Sequence, residues 1–142
     1  MDNNNKSSFQ FSNPVMLESH FVIHKDYDAK HMDEALDTPI KISFSRPNAT
    51  DSQDNRIFAQ LTVEAGQDDN TFPFYISVTM GADFRWDKSL ALETVNQMLS
   101  RNAPMLLLAY ARPLVAHLTG ASPTGPVHIP YMNFLQQNSE QE

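Results

Sequence analysis

Cysteine is absent from all 142 residues, which excludes disulfides, thiolate nucleophiles and cysteine-ligated zinc and suits a reducing compartment. Glycine is scarce. The four that occur are scattered, and no glycine-rich phosphate loop can be assembled from them. Positive charge is short as well: 10 Lys and Arg against 17 Asp and Glu leave a formal net charge of −7. A phosphate backbone is bound by a basic patch, and the sequence offers none, so no nucleic-acid partner is expected. A membrane-spanning run is also missing. The most apolar stretch, Pro104–Thr119, would be roughly 24 Å long as a helix against a hydrocarbon core of roughly 30 Å. Arg112 near its middle makes insertion costlier still. The opening MDNNNKSS has neither the basic nor the apolar region of a secretory signal, so a cytoplasmic location is expected.

What the chain does have is apolar residues in patterned segments. They make up 41% of it, enough for one core, and include nine Phe and seven Met. Alternation marks four strands. In the first, FQFSNPVMLESHFVIH, the residues Phe9, Phe11, Val15, Leu17, Phe21 and Ile23 share one parity, and Pro14 requires an edge, a break or a bulge. In the second, Ile40, Ile42 and Phe44 oppose Lys41, Ser43 and Ser45. The third turns Ile57, Ala59, Leu61 and Val63 one way; the fourth does the same with Phe72, Phe74, Ile76, Val78 and Met80. Short polar links between strands two, three and four favour antiparallel neighbours. The link KDYDAKHMDEALDT between strands one and two is too long for a hairpin and is expected to cross over. One-sided alternation means one wet face and one covered face.

Helices follow to cover it. DKSLALETVNQMLSR reads as an amphipathic helix with Asp87 or Ser89 as N-cap, and a second helix is expected to start at Pro104 and stop at Gly120, kinked or broken at Pro113. Met105, Leu106, Leu107, Leu108, Tyr110, Leu114, Val115 and Leu118 surround that second helix on all sides. A helix laid on a sheet buries one side only, and each large apolar side chain left in water forgoes roughly 1.5–3 kcal/mol. Self-association therefore follows as the economical arrangement. The expected organisation is a disordered 1–8, a single α+β domain over 9–134 and a flexible tail at 135–142.

Little in the sequence nominates itself for catalysis. His20 and His24 on one strand would stand about 13 Å apart, too far to share a metal. His117 reads as interface packing and His128 as a loop residue. The acidic pairs lack the spacing of a calcium loop, and no serine sits in G-x-S-x-G. No metal, cofactor or enzymatic activity is expected.

In its order of elements and at specific places the sequence resembles the protein-export chaperone SecB family. FQFS at Phe9–Ser12 opens the first strand as in that family. FYISVTMGADF at Phe74–Phe84 is similar to its fourth strand, with the family's glycine at Gly81. The most specific stretch is NAPMLLLAYARPLVAHL, with AP at Ala103–Pro104 and YAR at Tyr110–Arg112, followed by VHIPYMNF at Val127–Phe134. The resemblance covers about Phe9 to Phe134.

The resemblance implies a homotetramer built as a dimer of dimers. Its sheets would join through their first strands and its helix-covered faces would pack between dimers. The oligomer interface is then expected to use Phe11, Val15, Leu17, Ile76, Val78, Met80, Leu107, Tyr110 and Leu114. It also implies an ATP-independent holdase that keeps unfolded or presecretory polypeptides soluble and delivers them to the SecA motor. Long apolar grooves would gain burial from exposed client side chains, and Phe and Met impose little shape on a partner. The expected client-binding residues are Phe21, Ile42, Phe44, Tyr131, Met132 and Phe134. Of the family's acidic SecA-binding patch only Glu18 is matched, since Val22 and Ser77 stand where acids are usual. LQQNSEQE stands where the family continues into a C-terminal helix, and Pro113 replaces a polar helix former. A divergent relative dedicated to one partner, such as an antitoxin, is the alternative expectation.

Overall fold

The computed structural model describes residues 8–27, 37–51 and 54–131. Among the described residues five strands, β1 (Phe9–Phe11), β2 (Val15–Ile23), β3 (Ile40–Ser45), β4 (Arg56–Gly66) and β5 (Phe74–Trp86), precede one α-helix, α1 (Leu92–Gly120). The sheet is wholly antiparallel. The 13-residue β5 is its spine, with β4 and then β3 on one side and β1 and β2 end to end on the other. Since β2 and β3 lie at opposite edges, the connection between them crosses the sheet as expected.

The first expected strand is two strands because Pro14 has no N–H to give to the ladder. The gap is stitched by Ser12: its N–H donates to Asp83 O at 2.9 Å, and its hydroxyl accepts from Asp83 N–H at 3.0 Å. Across this gap the pairing advances by one residue, from Phe11 opposite Phe84 to Val15 opposite Gly81. A bulge between Met16 and Glu18 advances it once more. A one-residue slip turns side chains to the other face. The two advances cancel, so Phe9 and Phe11 share the helix-bearing face with Phe21 and Ile23, whereas Val15 between them turns outward. The single parity expected for all six residues therefore fails at Val15 and Leu17.

The central strands alternate as expected. Ile57, Ala59, Leu61, Val63 and Ala65 of β4, and Phe74, Ile76, Val78, Met80, Ala82 and Phe84 of β5, are buried on one face. Their alternate neighbours form the outer face, where Thr62 and Thr79 share a 2.7 Å hydrogen bond and Tyr75 donates to Glu64 at 2.7 Å. Partial burial, and then that bond to a carboxylate, raise the Tyr75 pKa above its ordinary value.

One helix of 29 residues stands where two were expected. Its N-cap is Ala91, without a side-chain hydrogen bond. Asp87 instead closes the turn before it, accepting from Ser89 N–H on its carboxylate and from Leu90 N–H on its carbonyl. Pro104 and Pro113 both lie inside the helix, and each removes a helical donor at a typical cost of about 3 kcal/mol. An unbroken ridge offsets that cost: Val95, Leu99, Ala103, Leu107, Ala111, Val115 and Thr119, four apart throughout, are fully buried against the sheet. Each Val or Leu of the ridge gains roughly 1.5–3 kcal/mol on burial, and the two alanines let the backbone approach. At the other end Arg46, at the exit of β3, donates to Ser100 Oγ at 3.0 Å and Asn96 Oδ1 at 3.4 Å, tying the sheet's far edge to α1.

Candidate functional site

The ridge occupies one side of α1 and leaves its flank uncovered. Beside that flank, β1 continues the sheet past β2 and carries two phenylalanines on the helix side. Phe9 and Phe11 lean on Phe84 with ring centroids 6.0 and 6.4 Å away. Between this aromatic wall and Met98, Met105, Leu106 and Ala109 of α1 lies an open groove of about 680 Å³, with Asn102 the one polar side chain on its helix wall. Phe11 and Met105 keep 47% and 49% of their surface exposed. These are large, deformable, apolar side chains facing water from two sides, suited to an extended apolar chain and without the convergent polar groups of an enzyme pocket.

The end of the groove is set by the segment after α1. Val127 N–H donates to Thr119 Oγ1 at 2.7 Å, and Ile129 is buried. Arg112 Nε donates to Ile129 O at 2.6 Å, and the Arg112 guanidinium lies 3.9 Å from the centre of the Tyr131 ring. Arg112, read in the sequence as an obstacle to membrane insertion and as part of the YAR stretch, is thus the clasp that sets Tyr131 at the groove.

Of the residues expected to bind clients, Tyr131 alone lines this groove among those described. Phe21 is half-buried on β2, and Ile42 and Phe44 are half-buried on β3 at the opposite edge; all three pack against the core. Met132 and Phe134 lie outside the described residues. The expected interface residues also divide. Ile76, Val78, Met80 and Leu107 are sealed beneath α1 within one subunit and have no surface to offer another copy. Phe11 lines the groove. Val15, Leu17 and Tyr110 are exposed, and Leu114 is half-buried. Glu18 is exposed on β2 opposite Thr79, facing outward.

Sequence reading missed Phe9, Phe84, Met98, Met105, Leu106 and Ala109 as groove residues. The signal was there in the shared parity of Phe9 and Phe11, but of the two only Phe11 was given a role, at an oligomer interface. It missed a second apolar patch too. Gly81 on the outer face is roofed by Phe58 and Leu17, and a Cβ at that position would sit 2.5 Å from Phe58 Cζ and 2.9 Å from Leu17 Cδ1.

Among the described residues no group of three His, Asp or Glu is placed to hold a metal ion, and no helix is long and apolar enough to cross a membrane. His20 faces Tyr75, while His24 is engaged elsewhere through Nδ1 with Phe72 O at 2.9 Å.

An open antiparallel sheet crossed between its edges by a long link and covered on one face by a helix is a SecB-like fold. The SecB-like chaperone Rv1957 of Mycobacterium tuberculosis, solved in complex with a ChAD peptide from the HigA1 antitoxin, superposes with a TM-score of 0.60 at 15% identity. The match covers 88% of this chain and 91% of that one. A protein of unknown function from Streptococcus agalactiae aligns over 87% of this chain and 97% of its own at 14% identity, with a TM-score of 0.44 that carries no argument. No family model and no curated protein matches the sequence.

Proposed function

We propose that this protein is a cytoplasmic, ATP-independent holdase that binds unfolded or presecretory polypeptides in the groove between β1 and α1. The carrying observation is that groove itself, walled by Phe9, Phe11 and Phe84 on one side and by Met98, Met105 and Leu106 on the other, in a SecB-like fold. Burial of roughly 25 cal/mol per Å² of client apolar surface supplies the attraction. Many such contacts along an extended chain add up through effective concentration, so no single pocket has to be tight.

Self-association accompanies this activity. Val15, Met16 and Leu17 on the edge strand are all about half exposed, which supports pairing of two sheets through β1 and β2. Tyr110 and Leu114 on α1 are available to hold two such dimers together. Client delivery to SecA through Glu18 belongs to the same proposal.

The test is light scattering of a reduced, unfolded protein without nucleotide. Substoichiometric amounts of the tetramer suppress aggregation; unchanged scattering at stoichiometric amounts defeats the reading. A second reading is favoured by the antitoxin peptide carried by the structural neighbour and by Val22 and Ser77 in place of acids on the outer face. In it the groove serves one partner, such as an antitoxin, without a role in export. That reading is supported by failure on generic clients together with binding of one antitoxin segment, and is contradicted by a broad client set.

A further inference from the structure

Arg56 on β4 and Arg85 on β5 stand directly opposite each other, and Gln10 on β1 completes their row. All three are exposed. Arg56 shares its parity with Phe58, so the row lies on the outer face of the sheet, away from α1. Like charges facing each other across two strands repel. Among the described residues neither guanidinium makes an ion pair or a hydrogen bond. Asp83 shares the face two residues from Arg85, and its carboxylate pairs with neither. A chain with only 10 Lys and Arg thus sets two of them in mutual repulsion.

Beside this row the face turns apolar. Phe58 is 39% exposed, and Leu17 and Val15 follow at 46% and 50%. Phe58 and Leu17 close over Gly81, and Val15 is paired with it. By strand spacing Phe58 stands about 7 Å from the arginine row, and Gly81, opposite Gln60, about 13 Å from it. Farther on, Glu18 and Glu64 make the same face negative.

We infer that this face binds an acidic–apolar segment of a partner polypeptide, with one carboxylate bridging Arg56 and Arg85 and apolar side chains seated on Phe58 and on Leu17 and Val15. The planar fork of a guanidinium matches a carboxylate, and two forks side by side hold it from both flanks. An extended segment points residues i, i+2 and i+4 to one side at steps of about 7 Å, so the matching order is acid, apolar, apolar at alternate positions. A polyanion such as nucleic acid is disfavoured, because two arginines offer few phosphate contacts and Glu18 and Glu64 repel the remainder. The site is on the side of the sheet opposite the groove between β1 and α1, and it stands whatever that groove binds.

The probe is the peptide Ser-Glu-Ser-Leu-Ser-Leu-Ser, blocked at both ends so that glutamate supplies its one carboxylate, titrated into isotope-labelled full-length protein and followed by NMR. Backbone signals of Phe58, Gly81 and Arg85 are expected to move, and those of Phe9 and Met105 to stay. The same peptide with glutamine for glutamate is expected to bind about tenfold more weakly. Relief of the repulsion predicts that Arg56→Gln with Arg85→Gln melts no lower than the parent while losing the preference for glutamate. Arg56→Glu with Arg85→Glu is expected to prefer a peptide with lysine at that place, an inversion that a damaged fold cannot produce. Equal affinity for the glutamate and glutamine peptides, signals moving in the groove instead, no inversion on charge reversal, or tighter binding of a short oligonucleotide overturns the proposal.

Discussion

The Arg112 guanidinium lies 3.9 Å from the centre of the Tyr131 ring while its Nε donates to Ile129 O. One side chain in the middle of α1 thereby fixes both the path of the following segment and the end of the groove. A cation–π contact of this exposure contributes about 0.5–1 kcal/mol, and a hydrogen bond from a charged donor about 1.5–3 kcal/mol. Arg112→Ala is expected to lower unfolding stability by about 2 kcal/mol in urea titrations. Arg112→Lys recovers less than half of that loss, because an ammonium cannot keep the planar stacking and the directed Nε bond together.

Gly81 makes a sharper prediction. Its neighbours Phe58 and Leu17 occupy the space a Cβ would need, so Gly81→Ala is expected to destabilise by about 1–3 kcal/mol as an overpacking change. In a Phe58→Ala background the same substitution costs little. The coupling between the two positions, read from a double-mutant cycle, is the measurement.

Groove and core residues are separable by their effects. Phe11 and Met105 are about half exposed, whereas Leu107 is fully buried. Phe11→Ser and Met105→Ser are expected to weaken suppression of aggregation severalfold, with stability changes under about 1 kcal/mol. Leu107→Ala is expected to cost about 2–5 kcal/mol in stability while leaving the groove walls in place. Light scattering and urea unfolding on the same three variants distinguish the two outcomes.

The two helix prolines also diverge. Pro104 is buried and Pro113 exposed. Pro113→Ala restores a helical donor at an exposed position and is expected to raise stability by about 1–3 kcal/mol. Pro104→Ala restores a donor but removes packed ring atoms, and its gain is correspondingly smaller. Thermal unfolding of both variants checks the order.

The sheet was legible because β3, β4 and β5 each keep an unbroken two-residue period, and because the link after Ile23 is too long for a hairpin. β1 and β2 were less so. Pro14 announced a break, but the size of the register change depends on how Ser12 bonds Asp83, and nothing in the local sequence fixes that. The helix was misread at Pro104, where an interior proline and a first-turn proline look alike. What decides is the ridge from Val95 to Thr119, which needs a sheet beneath it before it outweighs two missing donors. The groove was the least legible feature, since Phe9 on β1 and Met105 on α1 are brought together only by the closure of the fold. Tyr131, expected among the client-binding residues, lies at the mouth of the groove that this closure creates. Phe21 and Phe44 belong to opposite edges, which their equal hydrophobicity conceals.

The paired offsets along the first edge have a further consequence for how this strand tolerates change in length. Three residues, Ser12–Pro14, span the two β5 positions between the partners of Phe11 and Val15, and Leu17 stands as an extra residue between the adjacent partners of Met16 and Glu18. Removing one residue at either place leaves every remaining pair opposite its present partner, so Phe9, Phe11, Phe21 and Ile23 keep the helix-bearing face. Shortening by one residue is therefore expected to be tolerated at either irregularity, whereas a deletion within the regular stretch from Ser19 to Phe21 turns one part of β2 to the other face.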